Sequence, residues 1–325
     1  MKTTMKNYIL SLGVLLFTGN VWCQVESPNY KTVATKFEKS YNLNQFDSIF
    51  KMFSAEMQNA LPLNKLIELF TGINGQAGKI RQMEFIKYEM QTYASYKAQF
   101  ERALFSINIS VDTNFKINGF FIRPFKVDNL PKIERNMTSL LLPFNDTWNV
   151  FWGGDTKELN YHIDNEAQKN AIDFLIIDKT GKSYKTEGKT NEDYYAFGKE
   201  VIAPCKGEVV LVIDGVKDNV LGQMNLFVVG GNTIVLKTEN NEYLVLCHFK
   251  HQSINVKEGH KVEQGQLLGL CGNTGHSSEP HIHFHIQNIE DINQATGVEC
   301  YFRKIIVNGQ SKNDWSPIKN DMVSN

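Results

Sequence analysis

Hydrophobic residues in the first third of the chain recur at the spacing of amphipathic helices. Between Tyr30 and Phe70 they form two stripes that repeat every three to four residues, which predicts helices packed on a partner surface. The stripes comprise Phe46, Ile49, Phe50, Phe53 and Met57, and then Leu63, Leu66, Ile67 and Phe70. The partner follows at residues 105–112, where apolar and polar side chains alternate as in a strand with one buried face. Helices followed by a sheet predict an α+β domain over residues 24–125.

The second half of the chain has the pattern of a β protein. Short apolar runs are separated by turn signals such as Asn240-Asn241. The runs are residues 209–213, 233–236 and 243–246. Together they predict a mainly antiparallel β domain over residues 148–325.

Two further features organise this half. Residues 256–259 and 262–269 each run from a valine to a glycine, which is typical of tight β corners. The segment 126–147 breaks both the helical and the β pattern and contains Pro131 and Pro143, so we place a linker there.

Length and composition agree with two soluble domains. The chain has 325 residues, which is longer than most domains built on a single hydrophobic core. Its composition, 42% hydrophobic and 21% charged residues, is ordinary for a soluble protein. Lys and Arg number 34 against 35 for Asp and Glu, so the chain lacks the broad positive charge of a nucleic-acid binder. Nucleic acid is therefore not an expected partner.

The first 23 residues read as a secretory signal peptide. Lys2 and Lys6 precede the apolar run Ile9–Phe17, and we expect cleavage after Cys23. The run is too short for a membrane span, so we expect no transmembrane segment after cleavage and an exported protein, periplasmic or extracellular. Cys23 could alternatively carry a lipid, although Asn20 and Trp22 are unusual before such a site.

The remaining cysteines do not indicate a zinc knuckle. Their even number permits three disulfide pairings in an oxidising compartment, and no Cys-x-x-Cys pair occurs. We predict buried cysteines with at most one bridge. They are Cys205, Cys247, Cys271 and Cys300.

The histidines are concentrated in the predicted β domain. All eight lie there, at positions 162, 248, 251, 260, 276, 281, 283 and 285. In the segment 280–286, three of them alternate with apolar residues, which puts the imidazoles on one face of a strand and the apolar residues on the other. Such a face is suited to binding a metal or to dividing metal binding from catalysis.

A catalytic zinc needs three protein ligands and an open position, and two histidines with one carboxylate are a known set. Asp173 precedes an apolar run that predicts a buried strand, where a charge needs a partner. His162 is the upstream imidazole candidate. Asp164 and Asp178 remain rivals for the carboxylate position.

These residues occur in an order that resembles the lysostaphin-type (LytM-type) zinc metallopeptidases. The matching segments are Tyr161-His162 through Ala171-Ile172-Asp173-Phe174, Leu246-Cys247-His248-Phe249, Gly272-Asn273-Thr274-Gly275 and Pro280-His281-Ile282-His283-Phe284. The resemblance implies one zinc ion per chain held by His162, Asp173 and His283. It also implies catalytic positions at His248 and His281, and a lipoyl-like β scaffold.

The chain departs from the family in one spacing. Many members place the aspartate much closer to the first histidine, whereas Asp173 follows His162 by eleven residues. The departure affects the predicted loop and groove more than metal binding. The region 24–125 loosely resembles the cone-shaped α+β domains of the nuclear-transport-factor-2-like type.

The resemblance implies a secreted endopeptidase that hydrolyses peptide cross-links of peptidoglycan, or another exported peptide, with a zinc-activated water. We assign the role of general base to His281 and stabilisation of the oxyanion to His248. Two alternatives stay open: a non-catalytic module that regulates cell-wall enzymes, and a closed structural zinc site with His281 as fourth ligand.

The other histidines receive weaker assignments. His285 either orients a ligand by a hydrogen bond or packs, whereas His251, His260 and His276 are expected on exposed loops. Residues 273–279 are expected to form a wall of the groove.

Overall fold

The computed structural model describes residues 25–127, 129–226 and 228–325. The predicted signal peptide, residues 1–23, lies outside the described residues, as does Cys23. Among the described residues, no helix has both the length and the apolar character needed to cross a membrane.

The first part of the chain is a helical layer on a four-stranded sheet. The helices are α1 (Pro28–Asn42), α2 (Phe46–Met52), α3 (Ala55–Ala60) and α4 (Leu63–Ala77). The strands are β1 (Ile80–Glu89), β2 (Tyr93–Phe100), β3 (Leu104–Val111) and β4 (Ile117–Pro124). They form an antiparallel meander in the order β1-β2-β3-β4, and the aromatic residues of the helices pack on it around Phe37, Tyr41 and Phe70. The predicted α+β arrangement is confirmed.

The first predicted stripe is divided between two short helices. Helix α2 ends before Phe53, and Ser54 begins α3 by accepting a hydrogen bond from the Met57 N–H at 3.3 Å. The Ser54 N–H donates to Ile117 O at 2.9 Å, which ties the break to strand β4. In the second stripe, Leu66 and Phe70 are buried but Ile67 is exposed.

Strand β3 differs from the prediction of one buried face. Its apolar residues face the helices as expected, but Ser106, Asn108 and Ser110 are buried as well. The hydroxyls of Ser95 and Ser106 are hydrogen-bonded at 3.1 Å, so the second face carries a polar network within the sheet. A sequence pattern reports polarity, which does not by itself establish exposure.

The regular secondary structure of the described residues in the second part is β-strand apart from two short 3-10 turns, in agreement with the predicted β domain. Its strands are β5 (Trp148–Trp152), β6 (Ile172–Leu175), β7 (Glu200–Ile202), β8 (Gly207–Ile213), β9 (Asn232–Lys237), β10 (Tyr243–Phe249), β11 (Lys261–Val262), β12 (Leu267–Leu270), β13 (Ile282–Gln287), β14 (Gly297–Val298), β15 (Phe302–Val307), β16 (Gln310–Trp315) and β17 (Met322–Ser324). The large sheet has the order β11-β8-β9-β10-β13-β6-β5-β17-β15-β16, with β14 beside β13, while β7 and β12 pair separately. All the named strand pairs are antiparallel.

Strand β13 lies at the centre of this sheet, between β10 and β6. Ile282, Phe284 and Ile286 enter the main hydrophobic core, so the histidines of the same strand point to the opposite face. The turn at Asn241, with φ of 56°, sets the register of β9 and β10. The predicted corners are present, with positive φ at Gly259 and Gly265.

The segment predicted as a linker contributes to the second core. Leu140, Leu142 and Phe144 are fully or almost fully buried there, beside Trp148. The ring of Phe144 stacks on that of Trp148 with centroids 4.9 Å apart.

Polar contacts between described residues connect the first part to the second. The Leu104 N–H donates to the Asp291 carboxylate at 3.1 Å, and the Arg102 guanidinium lies 3.7 Å from the Glu258 carboxylate. The two parts therefore meet beside strand β8 and the loop that follows β13.

All four described cysteines are buried free thiols. Burial raises the pKa of Cys205, Cys247 and Cys300 to about 12, and that of Cys271 as well. We expect the folded protein to leave all four unreacted with an aromatic disulfide reagent at about pH 8, because the thiolate is the reactive form. After unfolding of residues 24–325 in denaturant without reductant, four thiols per chain should react. Two fewer would reveal a disulfide and contradict the structure.

Candidate metal centre and its flanking histidines

The pairing of β6 with β13 brings Asp173 beside His283. The two residues are direct partners across the antiparallel ladder, so their side chains leave the same face of the sheet. His283 Nδ1 lies 2.9 Å from Asp173 Oδ1, and both residues are buried. The predicted buried strand at Asp173 and its predicted partner are thus adjacent.

His162 reaches the same point from a short 3-10 turn, Tyr161–Asp164. Its Nε2 lies 3.0 Å from Asp173 Oδ2. The ligand atoms of His162, Asp173 and His283 all lie within 4.8 Å of one another, and all three residues are buried. The structure therefore brings together the three residues for which the sequence predicted metal binding.

The Asn160 side chain links the two ends of the segment that separates His162 from Asp173. Its amide nitrogen donates to Gly154 O at 3.0 Å and to Ala171 O at 2.9 Å, and its Oδ1 accepts from the His162 N–H at 3.2 Å. One fully buried amide thus fixes the turn that carries His162 to the start of strand β6. Sequence analysis did not identify Asn160 in this role, although it directly precedes Tyr161-His162.

We expect Asn160→Ala to lower the free energy of unfolding by about 1–3 kcal/mol, because buried carbonyls would lose their donor. Equilibrium unfolding in urea measures this change. The matched control is Asn165→Ala, since Asn165 is exposed and its side-chain Oδ1 accepts from the Ala167 N–H within its own turn. The control should change stability by less than about 0.5 kcal/mol. Equal effects of the two substitutions would contradict the proposed tie.

The charge at the centre is that of a buried carboxylate among imidazoles. Burial raises the pKa of the Asp173 carboxyl, but the nearby His162 and His281 rings outweigh it and hold the pKa well below its usual range. Burial lowers the pKa of His283, which favours its neutral ring. A carboxylate and neutral imidazoles are the ionisation states that a divalent metal requires of its ligands.

The donor set fits zinc. Two imidazole nitrogens and one carboxylate oxygen are a known catalytic zinc set, and zinc binds such atoms at about 2.0–2.2 Å. His162 Nε2 and His283 Nδ1 each lie about 3 Å from an oxygen of the Asp173 carboxylate, and the three ligand atoms lie within 4.8 Å of one another, so small adjustments would close them around one ion. The rival carboxylates lie elsewhere: Asp164 pairs with Lys157 at the surface, and Asp178 accepts hydrogen bonds within its own turn.

His248 reaches the site through a break in strand β10. A bulge separates Leu246 from Phe249, and His248 has φ of 66°, a strained conformation for a residue other than glycine. Its N–H donates to Gly230 O at 3.0 Å, and Nδ1 donates to Thr274 O at 2.7 Å. In the neutral ring, Nε2 then carries the lone pair. Burial lowers the pKa of His248 well below its usual range, and the nearby His281 and His283 lower it further.

His281 directly precedes β13 and is held in a similar way. Its Nδ1 donates to Glu279 O at 2.9 Å and lies 3.1 Å from the Ser277 hydroxyl. Its Nε2 lies 3.9 Å from Asp173 Oδ1, at the edge of the ligand group. The ring centroids of His248 and His281 are 4.6 Å apart. Both predicted catalytic histidines therefore flank the three predicted ligands.

The loop 273–279 orients both of these histidines, because it contains the carbonyls of Thr274 and Glu279. Its entry depends on glycine: a Cβ at Gly272 would lie 2.3 Å from the backbone of Lys250, and Gly275 has φ of 78°. The loop thus fixes the orientation of both imidazole rings, whereas the sequence predicted it only as a wall of the groove.

The remaining loop histidines are only partly as predicted. His260 is exposed, but His251 and His276 are half-buried. The ring of His251 is held by a hydrogen bond to Val216 O at 3.1 Å, and its N–H donates to Asp218 at 3.1 Å. These contacts come from the loop after β8, which no local pattern around His251 indicates.

Tyr161 is a further side chain at the site whose role sequence analysis did not assign. Its ring lies 4.0 Å from that of His162 and 5.3 Å from Trp152, and half of its surface is exposed. Burial, with a contribution from Asp173, raises the pKa of Tyr161 to about 12. The phenol therefore stays protonated beside the candidate ligands.

A cavity of about 360 Å³ lies on the histidine-bearing face of the sheet. Strands β8, β9 and β10 supply its apolar floor, which includes Leu211, Val235 and Val245, while Arg102 and Ala103 of the first part contribute another wall. Cys247, the residue before His248, also lines it. The first part of the chain therefore covers one end of the face on which the site lies.

Two segments of the chain match known families. Residues 34–120 match the family described as "Protein of unknown function (DUF3887)", and residues 190–296 match "Peptidase family M23". The second segment contains His248, His281 and His283 and begins after His162 and Asp173.

Curated relatives share short stretches with the chain. "Peptidoglycan DD-endopeptidase ShyA" of Vibrio cholerae serotype O1 is 38% identical over 68 residues, which cover 17% of this chain and 16% of the relative. "Glycyl-glycine endopeptidase ALE-1" of Staphylococcus capitis is 42% identical over 55 residues, which cover 17% of this chain and 15% of the relative. The chain thus covers less than a fifth of the length of either relative.

Similar solved structures include two peptidases. The catalytic domain of lysostaphin from Staphylococcus simulans has 21% identity and a TM-score of 0.29, covering 47% of this chain and 88% of that domain. A zinc-containing peptidase from Vibrio cholerae has 13% identity and a TM-score of 0.31, covering 78% of this chain and 94% of that one.

Proposed function

Because the C-terminal part of the chain is a peptidase M23 domain, we propose that the protein is an exported zinc metalloendopeptidase that hydrolyses peptide bonds in peptidoglycan. One observation carries the proposal: two imidazoles and a carboxylate converge in a buried group, with two further histidines beside it. The names of the two curated relatives, both endopeptidases and one of them a peptidoglycan endopeptidase, support the substrate class.

His162, Asp173 and His283 would hold the zinc ion. A zinc ion in such a set supplies Lewis acidity, which lowers the pKa of a bound water towards about 7 and polarises a carbonyl. With three protein ligands, the set leaves a position open for water or substrate.

His281 is assigned as the general base. Because its Nδ1–H is engaged by Glu279 O, its Nε2 offers a lone pair towards the ligand group. In this position Nε2 can take a proton from the attacking water and return it to the leaving amine. The backbone carbonyl fixes both the tautomer and the direction of the ring.

His248 is assigned to the tetrahedral oxyanion. Its Nδ1–H is engaged by Thr274 O, so its Nε2 can donate to an oxyanion only after taking up a second proton. Burial opposes that proton in the free protein. The assignment therefore requires that the negative charge of the transition state draws the proton to His248.

The test is release of new amino groups from purified peptidoglycan by residues 24–325. A chelator-treated sample and a His283→Ala variant serve as controls. Release that is lost in both controls and restored by zinc is the expected result. If a folded, zinc-loaded protein releases no amino groups, the regulatory-module alternative gains support. The Asp291→Ala variant then tests whether the first part of the chain covers the groove, because the substitution removes the Leu104–Asp291 contact.

A further inference from the structure

A row of three polar side chains continues behind the metal centre along strand β13. His283, His285 and Gln287 share the site face of the strand and are buried, the last two completely. His283 Nε2 lies 3.0 Å from His285 Nδ1, and His285 Nε2 lies 3.1 Å from Gln287 Oε1. Polar groups at such depth need partners, and each of these rings has one on both sides.

The end of this row is fixed by backbone carbonyls. The Gln287 amide nitrogen donates to Ile289 O at 2.7 Å and to Glu290 O at 2.9 Å. Carbonyl oxygens only accept, so this end of the amide must be the NH₂ group and the other end must be Oε1. The loop that supplies these carbonyls is itself held, because Asp291 accepts from the Leu104 N–H of strand β3 at 3.1 Å.

The direction of every hydrogen bond in the row follows from that anchor. Gln287 Oε1 only accepts, so His285 Nε2 carries a proton and donates to it. A neutral imidazole has one N–H, so His285 Nδ1 accepts from His283 Nε2. A neutral His283 then has its lone pair on Nδ1, 2.9 Å from Asp173 Oδ1, so these two acceptor atoms need a cation between them.

We propose that His285 and Gln287 are positioning residues that fix the ring direction and tautomer of His283, so that Nδ1 is the atom presented to zinc. The inference rests on the proposed function in one respect, the assignment of His283 as a ligand. Outer hydrogen-bond partners of metal-binding histidines commonly change metal affinity by about 10–100-fold when removed. Neither His285 nor Gln287 would touch the metal or the substrate.

Zinc affinity of residues 24–325, measured by competition with a chelator, tests the proposal. His285→Phe keeps a ring but removes the acceptor, and Gln287→Met keeps the length but removes Oε1. We expect each to bind zinc about 10–100-fold more weakly. His285→Asn restores an acceptor near the position of Nδ1 and should recover most of the affinity. The control Ile286→Val, on the core face of the same strand, should lower stability without weakening zinc binding.

A second measurement does not depend on zinc or on folding of the variants. Nitrogen-15 NMR of the histidine rings in the metal-free wild-type chain reports which nitrogen carries the proton. We expect the His285 proton on Nε2, the atom that faces Gln287 Oε1. A His285 proton on Nδ1, or wild-type zinc affinity in His285→Phe, would overturn the proposal. Wild-type protein that shows the expected tautomer but binds no zinc would instead count against the proposed function alone.

Discussion

Replacing Asp173 with asparagine is expected to abolish zinc binding and hydrolysis together. Asp173 contacts both His162 and His283, at 3.0 and 2.9 Å. Asparagine keeps the shape but loses the negative charge that a divalent ion needs from this set. The loss of zinc affinity should exceed the roughly 100-fold that removal of an outer partner causes. Zinc content after dialysis and a chelator competition measure it.

The two rival carboxylates are matched controls for this substitution. Asp164 is exposed and paired with Lys157, and Asp178 accepts hydrogen bonds from Thr180 and Lys182 in its own turn. Asp164→Asn and Asp178→Asn should keep zinc and activity. The assignment of the ligand set would be wrong if either control lost the metal while Asp173→Asn retained it.

His281→Ala is expected to separate metal binding from catalysis. Zinc should remain bound, because the three assigned ligands are intact, while turnover should fall by about 100-fold or more with loss of the general base. Zinc stoichiometry and the initial rate of amino-group release from peptidoglycan, measured on the same preparation, give both quantities. His260→Ala, an exposed histidine outside the site, should behave as wild type.

Loss of zinc from His281→Ala would have a different meaning. Because His281 Nε2 lies only 3.9 Å from Asp173 Oδ1, the ring is close enough for a modest shift to make it a fourth ligand. That result would favour a closed structural site over a catalytic one. Near-normal turnover in His281→Ala would remove His281 as the base.

The sequence predicted the placement of side chains wherever that placement depends on a single strand. Alternation at 280–286 was sufficient to put His283 and His285 on one face and Ile282, Phe284 and Ile286 in the core. The antiparallel sheet, its corners and the α+β layer before it were predicted by the same periodicities. Assignment of His162 and Asp173 depended on the family resemblance, because their meeting with His283 depends on strand pairing across the sheet.

Features that depend on contacts between distant segments could not be predicted. Ala171 and Thr274 both lie in segments that carry the family resemblance, but no spacing or composition indicates that Asn160 ties its turn to Ala171 or that the carbonyl of Thr274 orients His248. The break at Ser54 is set by a hydrogen bond to Ile117, far along the chain. Burial of Asn108 and Ser110 on the second face of β3 also depends on the assembled sheet.

X-ray absorption at the zinc edge of the metal-loaded protein, residues 24–325, tests the central claim most directly. The arrangement of His162, Asp173 and His283 predicts one zinc per chain with two imidazole nitrogens, one carboxylate and at least one oxygen that does not come from the protein. A shell with three imidazoles, or a folded chain that holds no zinc, would contradict the account of this site as a catalytic metal centre.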